Sequence, residues 1–84
     1  MALRMVEIFV PAADSDDALR IIRELPIEAV WNLETGSGQM MIRLLVSSEH
    51  IEQLLDVIDR RFATADGYRV LLLLAAAIYL SSLW

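Results

Sequence analysis

Between Leu3 and Val10 the side chains alternate, with Val6, Ile8 and Val10 on one side and Met5, Glu7 and Phe9 on the other, which is the period of a strand. Pro11 ends it. The acidic stretch Asp14-Ser15-Asp16-Asp17 offers helix caps and puts negative charge where a helix N-terminus favours it. Ala18, Leu19, Ile22 and Leu25 then recur at helical spacing until Pro26. Ile27, Ala29, Trp31 and Leu33 alternate with Glu28, Val30, Asn32 and Glu34, predicting a strand with one apolar and one mostly polar face, suited to a sheet edge or an exposed side. Thr35-Gly36-Ser37-Gly38 is a tight-turn signal, and the alternation resumes from Gln39 to Val46, so the two runs read as a β-hairpin. Met40, Ile42, Leu44 and Val46 share one face of the returning strand; Gln39, Met41, Arg43 and Leu45 share the other.

Ser47-Ser48 followed by Glu49 and Glu52 opens a second helix, whose stripe Ile51, Leu54, Leu55, Ile58 and Phe62 fits the 3.6-residue period better than any other segment. Arg60 and Arg61 fall in its last turn, where cations are favoured, and Asp66-Gly67 stops it. The residues from Tyr68 to Leu74 then form a fourth strand, because the order βαββα leaves an open sheet position. Their run of Val and Leu suits a strand covered on both faces. The expected fold is α+β: a ferredoxin-like βαββαβ unit, or split βαβ, with a four-stranded antiparallel sheet and both helices on one face. The buried layer would comprise Val6, Ile8, Val10, Met40, Ile42, Leu44 and Val46 together with the two helix stripes. At ~1.5 to 3 kcal/mol per fully buried large apolar side chain, an upper estimate, such a layer can hold a domain of this size. Residues 1–74 are thus read as one domain, and 75–84 as an apolar C-terminal tail.

Composition changes this picture in one place. The 84 residues are 57% hydrophobic, and much of the excess lies between Val70 and Trp84, which carry no charge. As a helix those fifteen residues would reach roughly 22 Å, short of the ~30 Å hydrocarbon core of a bilayer. Residues 75–84 would instead form a short helix laid over the open sheet face, or a strand extension pairing with another copy; a natural continuation into a membrane region is the third possibility. The net charge of −5, with arginine as every base, repels phosphate backbones, so nucleic acid is not expected as a partner. Cysteine is absent, which excludes disulfides and thiolate metal sites. The first residues carry one base before Glu7 and too short an apolar run for an export signal, so the expected location is the cytoplasm.

No constellation of catalytic residues emerges, and the chain is not expected to be an enzyme. His50, the sole histidine, stands beside Glu49 without partners at ligand spacing, and Asp14, Asp16 and Asp17 lack the further ligands and glycine of a calcium loop; no metal or other cofactor is expected. Ser47, Ser48, Ser81 and Ser82 have no base in reach, and Gly36-Ser37-Gly38 is too short for a phosphate cradle and does not precede a helix. The first loop lacks a Cys-x-x-Cys and an anion-gripping arginine, and the two central strands carry only Phe9 as an aromatic, which argues against metal transfer, acyl-phosphate hydrolysis and RNA binding in turn. What remains is the sheet face away from the helices. There Met5, Phe9, Met41 and Leu45 surround Glu7 and Arg43 on adjacent central strands, an apolar patch enclosing one ion pair, read as a ligand site or an interface between copies.

The opening RMVEIFVP, the central AVWNLETGSGQMMIRLLV and the late FATADGYRVLLL resemble the N-terminal soluble domain of a family of bacterial and archaeal membrane proteins, the domain of unknown function 389 or uncharacterised hydrophobic domain family. The resemblance runs from about Leu3 to Leu74 and rests on strand-edge patterns, with no catalytic signature to carry over. It implies an ACT-like, small-ligand-binding regulatory module at the inner face of the membrane, preceding a membrane domain in the same or a longer chain. Combined with the apolar patch, it implies a homo-oligomer holding a small-molecule ligand; the alternative is a structural assembly domain with no ligand. After Leu74 the chain departs from the polar, proline-containing linker expected of such relatives.

Overall fold

The computed structural model describes residues 2–73. They form β1 (Leu3–Pro11), a 3-10 turn (Ala12–Asp14), α1 (Ser15–Arg23), β2 (Ala29–Glu34), β3 (Gln39–Ser47), a second 3-10 turn (Ser48–His50), α2 (Ile51–Phe62) and β4 (Arg69–Leu73). The four strands make one sheet in the order β2-β3-β1-β4, antiparallel throughout. This is the ferredoxin-like split βαβ expected from the alternation pattern. The central pair β1 and β3 runs in register over nine residue pairs, from Leu3↔Ser47 to Pro11↔Gln39.

Both helices cover the same face. Val6, Ile8 and Val10 of β1 and Ile42, Leu44 and Val46 of β3 meet Ala18, Leu19 and Ile22 of α1 and Leu54, Ile58 and Phe62 of α2 in one buried cluster. Each was expected there; Met40, also expected, packs at the margin, because its strand neighbour Glu34 lies on the exposed edge. The fourth strand pairs with β1 over Met5↔Leu73 to Phe9↔Arg69, as the topology required. It is not covered on both faces among the described residues: Leu71, Leu72 and Leu73 remain exposed, since β4 stands at the sheet edge. The expectations for residues 74–84 lie outside the described residues.

The helix starts differ from the sequence reading. Neither α1 nor α2 has a side-chain cap; each is entered through a 3-10 turn whose backbone bonds take over the first N–H groups, and the Ser15 hydroxyl donates to the Ala12 carbonyl oxygen at 2.9 Å. Asp17 is drawn instead into a bridge between the helices, accepting from Arg20 of its own helix at 2.5 Å and from Arg61 of α2 at 2.8 Å. Those two guanidinium contacts, Arg20 first, hold its carboxyl below the ordinary carboxylate range. β2 begins at Ala29 rather than Ile27, because Ile27 turns back to bond Leu25 and packs against the core.

One loop position requires glycine. Gly67, between α2 and β4, has φ +74°, and a Cβ there would strike the side-chain amide of Gln39, which donates to the Gly67 carbonyl oxygen at 3.0 Å. Next to it, Tyr68 packs on the core, and burial, reinforced by the Asp59 carboxylate, pushes its hydroxyl up to about 12. An acid whose folded value is raised above the ordinary 10.0 stabilises the fold below that value and loses the contribution as pH climbs to about 12. The melting temperature is therefore expected to fall over that interval, and Tyr68→Phe to shrink the fall. An equal fall in both proteins, followed by circular dichroism, would refute this.

Candidate functional site

The pleat sends alternate side chains of every strand away from the helices, and the registers align them in rows. Ala29, Leu45, Met5 and Leu73 form one row across β2, β3, β1 and β4. Trp31, Arg43, Glu7 and Leu71 form the next, and Leu33, Met41, Phe9 and Arg69 the third. The six residues singled out from the sequence, Met5, Glu7, Phe9, Met41, Arg43 and Leu45, are thus brought together as three directly opposed pairs on the two central strands. Leu45 is already buried at its end of the face, outside the main core cluster; the other five are partly covered.

At the centre, Arg43 donates from Nε and Nη2 to the same carboxylate oxygen of Glu7, at 2.9 and 2.7 Å. The Glu7 side chain retains only 13% of its exposure, while that of Arg43 retains 43%, so the carboxylate is enclosed and the guanidinium still reaches water. A carboxylate within an apolar surface needs this partner, and two charge-assisted bonds to one oxygen supply it. In the adjoining row the Arg69 guanidinium lies over the Phe9 ring, 4.4 Å from its centroid.

The sequence reading missed the outer columns. Trp31 and Leu33 belong to this face and are half or more exposed, at 50% and 61%, and Leu71 and Leu73 flank it on the other side. The signal for β2 was its apolar alternation, but the side it would take depends on hairpin register. Glu34 pairs with Met40, so five residues lie between the closing pair, with Gly36 and Gly38 at positive φ. A four-residue connection pairing Glu34 with Gln39 would have turned Trp31 and Leu33 to the helix side of the sheet, since a one-residue shift reverses a strand's faces.

The remaining candidates separate in space. No group of three or more metal-ligating side chains occurs among the described residues. His50 lies in the 3-10 turn before α2, 3.5 Å from Glu49 Oε1 and outside the three rows of the open face. A shallow groove between the helices is lined by Ile21, Val57, Arg60 and Arg61, whose guanidinium groups are already paired with Asp56 and Asp17 respectively. Among the described residues, no helix is long and apolar enough to cross a membrane.

No protein-family model matches the chain, and no curated protein does. Solved structures do. CPII, a nitrogen regulatory PII-like protein from Thiomonas intermedia, in a structure bound to ADP, AMP and bicarbonate, superposes with a TM-score of 0.75 at 20% identity, covering 84% of each chain. A second structure of CPII, bound to ADP, AMP and acetate, gives 0.71 at 17% identity over 87% of this chain and 88% of that one. At that level of identity the likeness is one of architecture: this chain has the ferredoxin-like fold that these PII-like structures have.

Proposed function

We propose that this chain is a non-enzymatic regulatory module that senses a small ligand and associates with further copies of itself through the open sheet face. The observation carrying this reading is the fold shared over most of both chains with CPII, whose structures hold ADP, AMP and bicarbonate or acetate. Supporting it, the open face places Trp31, Leu33, Met41, Phe9, Leu71 and Leu73 around the Glu7–Arg43 pair, and Trp31, Leu33, Leu71 and Leu73 are exposed there, as at surfaces that meet a partner. The proposed setting, the cytoplasmic head of a membrane protein, rests on the sequence resemblance alone.

Ligand sensing is tested by thermal denaturation with ADP, AMP and bicarbonate. A ligand held only by the native state, at about a hundredfold its dissociation constant, raises the melting temperature of so small a domain by ~10 °C or more. No shift with any of the three, nor with a broad set of small metabolites, would leave the second reading, an assembly domain without a ligand, which the exposed face alone favours. Association is tested by Trp31→Ala, which removes a large aromatic from the middle row without touching the core. It is expected to weaken self-association roughly thirtyfold or more, read by sedimentation equilibrium. An unchanged association constant would exclude the open face as the interface.

A further inference from the structure

The charges on the open face do not balance. Along β1, β2, β3 and β4 every residue pointing away from the helices is uncharged except Glu7, Arg43 and Arg69, so two cations meet one anion and the face carries +1 in a chain whose net charge is −5. Glu7 is committed to Arg43. Arg69 has the Phe9 ring beneath it and, among the described residues, no carboxylate within ion-pair distance. Its backbone is at the exposed edge, but its side chain is not confined there. It leans from the edge strand across a ring of the central strand β1, above the surface a second copy would have to cover.

Closing another copy over this face therefore takes a guanidinium group out of water with only an aromatic ring as partner, and an aromatic quadrupole compensates far less than a counter-charge does. A small anion removes the conflict. The Nη1 group of Arg43, which makes no hydrogen bond among the described residues, belongs to β3 on the other side of β1, opposite a residue two positions from Phe9, and adds a second cation to the same face. We infer that Arg69, assisted by Arg43, binds a small oxyanion of the phosphate class on the open face, and that this anion governs whether a second copy closes over it. The inference rests on the self-association proposed above and deepens it by naming what couples ligand to assembly.

Sedimentation equilibrium of the full chain in sodium phosphate and in sodium chloride, at equal ionic strength and pH, tests it. The wild-type chain is expected to associate about tenfold more tightly in phosphate. Arg69→Leu, a change on an exposed edge strand, is expected to associate in chloride as tightly as the wild type does in phosphate and to ignore the exchange of anion; it also controls for general salting by phosphate. Circular dichroism confirms that the variant is folded. Equal association of the wild type in both salts, or a variant that still responds to phosphate, overturns this inference alone. A wild-type chain monomeric under every condition overturns the self-association reading and this inference with it.

Discussion

Ile8→Ala is expected to lower the unfolding free energy by about 3 to 4 kcal/mol. Ile8 lies at the middle of the central strand β1, between Ile42 of β3 and Val70 of β4, and is fully buried under both helices. Truncation there removes transfer energy and leaves a cavity bounded by strands on both sides, which cannot close without disturbing two ladders. A domain of this length holds a total stability of roughly 4 to 12 kcal/mol, so this one substitution removes between about a quarter and all of it. Urea denaturation checks the value, and a loss below about 1 kcal/mol would contradict the placement of Ile8 in a close-packed core. Leu33→Ala, on the exposed side of β2, provides the contrast, with an expected change within about 0.5 kcal/mol of zero for the monomer.

The second large effect concerns the ion pair. Arg43→Leu strands the Glu7 carboxylate between Met5, Phe9 and Leu71, and is expected to cost about 2 kcal/mol, less than the 3 to 5 typical of a fully buried pair because Arg43 itself is partly solvated. Adding Glu7→Met to that variant is expected to recover most of the loss, since two apolar side chains on this surface need no partners. The difference between single and double variants, measured in the same denaturation series, separates the penalty of an orphaned charge from the net contribution of the pair. A double variant no more stable than the single one would show that the pair itself, rather than the enclosure of Glu7, is what the fold depends on.

Much of this architecture was legible because two periods coexist in the chain without overlap. The alternation of Val6, Ile8 and Val10, and of Ile42, Leu44 and Val46, specifies which face of each central strand is buried, and α2 declares its stripe through Leu54, Ile58 and Phe62. The pairing of Glu7 with Arg43 followed, since both lie on the opposite parity of strands that the topology makes neighbours. The contribution of β2 was not legible. Its alternation identifies a strand but not which side faces the helices, because that is decided by the number of residues in the hairpin connection and not by hydrophobicity. The helix starts escaped for a related reason: Asp14 and Ser48 are residue types that cap helices, yet the chain leaves each strand with a 3-10 turn that satisfies those donors from the backbone. Arg69 was hidden by its position at the beginning of an otherwise apolar strand, where only three-dimensional register reveals Phe9 beside it.

The five-residue connection between Glu34 and Met40 has a consequence for how such a domain evolves. Loss of a single codon from that loop would slide β2 by one position, turn Trp31 and Leu33 to the helix side of the sheet and bring Val30, Asn32 and Glu34 onto the open face in their place. For the interface proposed on the open face, length variation at that turn is therefore a more direct route to change than point substitution across the sheet, because one deletion exchanges a whole column of side chains at once.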